Sequence, residues 1–168
     1  RDSYEPGATL GHGLSFHGGD QANHIPMIVH VPGVAAQQFP QTVRSIDVAP
    51  SVLDLLGIEK PAKWEGRSFA PWISDRNTAT ARPFYAETGF PFIQFRVGHV
   101  QRPHLPPMDE LTFIDESYDY HFVLKPEYEK ALVDAKERML RTVRWKITLT
   151  PTAEGGRYYQ LFHLPDDP

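Results

Sequence analysis

The chain has 168 residues, 40% of them hydrophobic and 23% charged, with a formal net charge of -4 from 17 basic and 21 acidic residues. That size and balance suit one globular domain with a real core, and the lack of a basic patch argues against nucleic acid as a partner. No apolar run nears the ~20 residues that span a bilayer, and a chain without cysteine has neither disulfides nor thiolate metal sites, so its redox compartment is not readable.

The chain begins at Arg1 without an initiator methionine and is expected to be a piece of a longer protein. Its sixteen prolines are about twice the usual share. They are spread between periodic apolar segments, so they read as element boundaries and ordered turns, not disorder. Residues 1–24 hold Gly7, Gly11, His12, Gly13, His17, Gly18, Gly19 and His24, the composition of a loop. The apolar run 25–31, closed by Pro32-Gly33, predicts a strand buried on both faces, as in a parallel sheet. No second run of that kind occurs, so its partners are expected at a sheet edge or on polypeptide outside this chain.

Residues 47–56 predict a helix. Asp47 is placed to cap it, Pro50 falls in its first turn, and Gly57 supplies a left-handed stop. Val48, Val52, Leu55 and Leu56 form one apolar stripe. Trp64, Phe69 and Trp72 read as packing anchors in an irregular stretch. Residues 82–89 predict a strand. Residues 90–124, with Pro91, Pro103, Pro106 and Pro107 and an aromatic-rich end, read as a long insertion of functional or lid-like kind. Residues 126–140 predict the clearest helix, with Tyr128, Leu132, Ala135 and Met139 on one face and Asp134 paired to Arg138. The end predicts a hairpin: Trp145, Ile147 and Leu149 alternate with Lys146, Thr148 and Thr150, a turn spans 151–156, and 157–164 returns.

Four segments, in chain order, resemble the sulfatase family of the alkaline phosphatase superfamily. Leu10-Gly11-His12-Gly13 followed by Ile25-Pro26-Met27-Ile28-Val29 and Pro32-Gly33 is similar to its Gly-x-His-Gly loop and the strand behind it. The stretch from Ser45-Ile46-Asp47 through Pro50-Ser51 to Gly57-Ile58 resembles a second family pattern, with Ser51 in place of the usual threonine. Gly66-Arg67-Ser68-Phe69-Ala70-Pro71 is similar to a third. Arg141-Thr142 with Trp145-Lys146, then Tyr159-Gln160-Leu161-Phe162-His163-Leu164 and Asp166-Asp167-Pro168, resembles a fourth. Each piece is weak alone; the ordered set is specific.

The resemblance implies an α/β fold: the tail of a large mixed sheet domain over residues 1–75, then a small C-terminal antiparallel sheet with a packed helix over 76–168, carrying the insertion at about 90–124. It implies a metal-dependent hydrolase with a formylglycine nucleophile and a divalent cation, calcium by the family's habit. The Cys/Ser-x-Pro/Ala-x-Arg motif and the Asp-(His/Asn)-Gly pair that would carry these do not occur in this sequence, so the expected parent enzyme supplies nucleophile and metal ligands elsewhere. The implied partners are a sulfated small molecule or glycan substrate and the rest of the catalytic domain upstream, in a periplasmic or secreted setting.

His17 lies where sulfatases place a lysine on the transferred oxyanion, five residues after the loop histidine, here His12. A histidine there resembles the phosphoethanolamine transferases of the same superfamily. An imidazole N–H aimed at developing oxygen charge can serve as well as an ammonium, and histidine is also a general acid near neutral pH. By residue type alone His17 is a polar member of a glycine-rich turn. His12 is expected to fix the loop, and a two-histidine metal site with His17 lacks a third ligand. His24 is expected in a loop or packing role. Glu87 and His99 are candidates to line a pocket against a plainer surface reading, while His104, His121 and His163 follow no pattern. Three readings compete: a sulfate-ester hydrolase inactive as this piece, a phosphoester or phosphonate hydrolase or phosphoethanolamine transferase, and a stand-alone binding or structural module.

Overall fold

The computed structural model describes residues 25–89 and 97–166. Among them the chain forms two compact units, one of Pro26–Phe84 with Arg141–Val143, the other built on Tyr85–Leu140 and Arg144–Pro168.

The first unit opens without regular structure. Residues 25–31 are not the buried strand their composition predicts: they are extended coil, and Ile28 is 94% exposed. A strand exists only through hydrogen bonds to a neighbour, and among the described residues none pairs with this one. The Pro32-Gly33 turn does form, with Gly33 at φ 78 and the Val34 N–H bonded to the Val31 carbonyl at 3.2 Å. A 3-10 turn over Ser45–Asp47 leads into α1 (Val48–Leu55). Its stop is as expected. Gly57 takes φ 69, its N–H reaches the Asp54 carbonyl at 3.0 Å, and the Ile58 N–H reaches Leu53 at 2.8 Å. That is the paired bonding that satisfies a helix end around a left-handed glycine. The apolar stripe of α1 is not buried: Val48, Val52, Leu55 and Leu56 are all exposed.

Beyond α1, Gly66 lies under the preceding turn, where a Cβ would sit 1.9 Å from the Ile46 carbonyl oxygen; only glycine allows that approach. The short α2 (Ala70–Ser74) buries Trp72 beside Phe69 and Phe39, with ring centroids 6.4 and 6.0 Å away. Trp64, expected as a third anchor, is exposed.

In the second unit β1 (Phe84–Glu87) falls within the expected strand. The stretch 90–124, read as a long insertion, carries regular elements from Met108 onward. Helix α3 (Met108–Leu111) leads into a hairpin of β2 (Thr112–Asp115) and β3 (His121–Leu124), antiparallel with Phe113 opposite Val123 and Ile114 opposite Phe122. Leu111, fully buried, anchors its base, and the Lys125 N–H returns to the Leu111 carbonyl at 2.9 Å.

The expected helix over 126–140 is shorter. A 3-10 turn at Pro126–Tyr128 runs into α4 (Glu129–Ala135), and the chain then extends into β4 (Arg138–Arg141). Leu132, Ala135 and Met139 are buried as foreseen, but Met139 gets there as a strand residue. Bonds to the residue just after β1 replace helix continuation: the Thr88 N–H bonds the Glu137 carbonyl at 3.0 Å, and the Glu137 N–H bonds Thr88 Oγ1 at 3.1 Å. Asp134 accordingly pairs with Lys130 instead of Arg138.

The closing hairpin of β5 (Trp145–Pro151) and β6 (Arg157–His163) forms as expected, in register from Trp145 opposite His163 to Pro151 opposite Arg157. It completes a four-stranded sheet in the order β1-β4-β5-β6, with α4 packed on β5. The alternation of β5 holds, yet its polar side faces inward. Lys146, Thr148 and Thr150 are buried, while Trp145 and Ile147 stand exposed beside Leu161 and Tyr159 of β6. The chain is thus α/β, with a small C-terminal antiparallel sheet carrying a packed helix. Among the described residues no helix is long and apolar enough to cross a membrane.

Candidate functional site

In the first unit the polar centre is Asp47, which is fully buried. Its carboxylate accepts from Arg44 Nη2 at 2.7 Å and Nε at 3.0 Å, and from the Arg67 N–H at 2.8 Å, while Arg82 Nη1 stands 3.2 Å away. Arg82 also donates to the carbonyls of Arg67 and Ser68 and lies 5.0 Å from the Trp72 ring centre. Beside this clamp the buried Ser51 hydroxyl donates to the Asp47 carbonyl at 2.6 Å and accepts from the Phe69 N–H at 2.9 Å. Asp47 is therefore not the side-chain helix cap its position suggests. Burial alone would raise its carboxyl, but hydrogen bonds from the Arg44 side chain and from the Arg67 and Arg44 backbone outweigh that and hold it at about 2. A carboxylate so saturated has no free lone pair for a cation or a proton transfer. It ties the turn before α1 to the coil segment at Arg67.

In the second unit charged side chains are buried or nearly so. Arg102 Nη1 pairs with Glu137, both nearly buried, and the Lys146 ammonium lies 4.6 Å from the ring centre of Phe162, its cross-strand partner. On the surface Glu87 accepts from Lys136 Nζ at 2.7 Å and the Tyr85 hydroxyl at 3.0 Å, with Arg138 Nε at 3.8 Å. The Lys136 hydrogen bond holds Glu87 below the usual carboxylate range. His99 packs edge-on to Tyr158 at 5.8 Å. Glu87 and His99 thus each have partners of their own, and no bond joins them. His163 stacks on Trp145 at 4.4 Å and contacts Asp166 Oδ2 through Nδ1 at 2.6 Å.

The shifted carboxylates Asp47, Glu87, Asp115 and Asp134 are all held below their usual range. That is the direction opposite to what a general acid needs. His12, His17 and His24 lie outside the described residues. Sequence reasoning missed Arg44, Arg82, Arg102 and Glu137, whose one local signal was the three-residue spacing of Arg44 and Asp47.

The motif segments gathered around Asp47, Ser51 and Gly66 fall inside a match to the family model described as N-sulphoglucosamine sulphohydrolase, C-terminal, which spans residues 19–106. The chain belongs to this sulfatase family. Among curated relatives it is 29% identical to mouse arylsulfatase K over 147 residues, covering 86% of this chain and 20% of that protein. It is 27% identical to rat arylsulfatase K over 124 residues, 73% of this chain and 16% of the relative. A fruit-fly (Drosophila melanogaster) extracellular sulfatase SULF-1 homolog is 34% identical over 56 residues, 33% of this chain and 5% of the relative. The sulfatase chain therefore spans about a fifth or less of the length of the relatives it matches. Its α/β architecture is that of a C-terminal portion of the sulfatase fold.

Two attributes carried by the family resemblance need correction for this sulfatase chain. The sequence has no cysteine and no Ser-x-Pro/Ala-x-Arg motif from which a formylglycine could be made, and among the described residues no group of three His, Asp or Glu side chains is placed to hold a metal ion. The buried carboxylate nearest the family motifs, Asp47, is already closed by guanidinium and amide donors. The described residues do not fit a cation.

Proposed function

We propose that this chain is the C-terminal part of a sulfatase-like hydrolase whose complete form cleaves sulfate esters, and that the chain alone does not turn substrate over. The observation carrying this reading is the family match over residues 19–106. The uncovered apolar side chains support it. Ile28, Leu56, Trp145 and Leu161 all face water here, and each large aliphatic side chain left unburied forgoes about 1.5–3 kcal/mol. Covered by the rest of the catalytic domain, these side chains would regain that burial.

On this reading residues 1–75 end the catalytic α/β domain, 76–168 form a small α+β subdomain, and the partner is the rest of the catalytic domain upstream. The substrate is a sulfated small molecule or glycan. His17 donates a hydrogen bond to an oxygen of the transferred group, where charge develops, and His12 steadies the loop that carries it. A divalent cation, calcium by family habit, enters only as a property of the complete enzyme, with its ligands on other polypeptide. A second reading, a phosphoester or phosphonate hydrolase or phosphoethanolamine transferase, draws on His17 standing where sulfatases have lysine.

The test compares an aryl sulfate and an aryl phosphate as substrates for the 168-residue chain and for the complete enzyme containing it. The chain alone should be inert, the complete enzyme should prefer the sulfate, and His17→Ala should lower its kcat by about 10²-fold or more. Turnover by the isolated chain would overturn the proposal, and preference for the phosphate would select the second reading.

A further inference from the structure

We draw no further inference here: the strongest candidate, the outward face of the β5–β6 hairpin on which Trp145, Ile147, Tyr159 and Leu161 stand exposed, carries nothing further because nothing in the structure shows what covers it in a chain that spans about a fifth or less of its relatives.

Discussion

Arg44 grips Asp47 with two of its nitrogens, Nη2 at 2.7 Å from one carboxylate oxygen and Nε at 3.0 Å from the other. The pair closes a turn of four residues over a fully buried carboxylate, and Arg82 Nη1 stands 3.2 Å from the oxygen that Arg44 Nε also reaches. Bidentate guanidinium–carboxylate pairs combine strength with fixed geometry. Here that geometry sets where α1 begins.

Removing the charge should therefore be costly. Asp47→Asn leaves two part-buried guanidinium groups facing a neutral amide, and we expect a loss of about 3 kcal/mol, the lower end for breaking a buried pair from one side. Urea denaturation of the parent and variant measures it; a change below about 0.5 kcal/mol would mean that the clamp contributes nothing.

Acid should act on the same group. The Asp47 carboxyl is held at about 2, below its ordinary 3.8, so its contribution is complete above about pH 4. It is lost as pH falls through the folded value. Stability of the parent should decline between about pH 4 and pH 2, and Asp47→Asn should flatten that part of the profile. Parallel curves for the two proteins would contradict the assignment.

Gly66 tests the close approach beside the clamp. In Gly66→Ala the Cβ would meet the Ile46 carbonyl oxygen at 1.9 Å and Pro50 Cγ at 2.9 Å, so the backbone itself must move. A loss of about 1–3 kcal/mol is expected, as for overpacking a tight site. Gly89→Ala, with nothing within 4 Å, serves as the control and should sit within about 0.5 kcal/mol of the parent.

Arg102 and Glu137 offer the corresponding test in the other unit, where their side chains are 7% and 4% exposed. Arg102→Met should cost about 3–5 kcal/mol by leaving Glu137 buried without it. Replacing both residues by methionine should cost less than the sum of the single changes, since they are coupled. Additive losses in thermal or urea melts would show that the pair does not interact.

What was legible in the sequence was local. The stop of α1 at Gly57, the Pro32-Gly33 turn and the two strands of the β5–β6 hairpin each depend on residues a few positions apart, and each was read correctly. The strand at 25–31 was misread because an apolar run is necessary for a buried strand but its neighbours decide whether one forms. The overlong helix at 126–140 failed for a related reason: Met139 suits a helix stripe and a strand equally, and the sheet between β1 and β5 claimed it. The β2–β3 hairpin was missed because its turn carries no glycine, placing Asp119 and Tyr120 in left-handed backbone instead.

By itself the sequence determined membership of the sulfatase family, through short ordered motifs whose residue types are dictated by backbone geometry, and it determined the alternation and spacing of the C-terminal hairpin. Only the tertiary structure decided which side of β5 turns inward and which arginines close on Asp47. The reason is physical: hydrophobic pattern ranks faces by their preference for water. A buried carboxylate, however, goes where Arg44, Arg82 or Arg102 can reach it, and Lys146 goes where its ammonium meets the Phe162 ring; those partners are brought together by the fold and not by hydrophobic pattern.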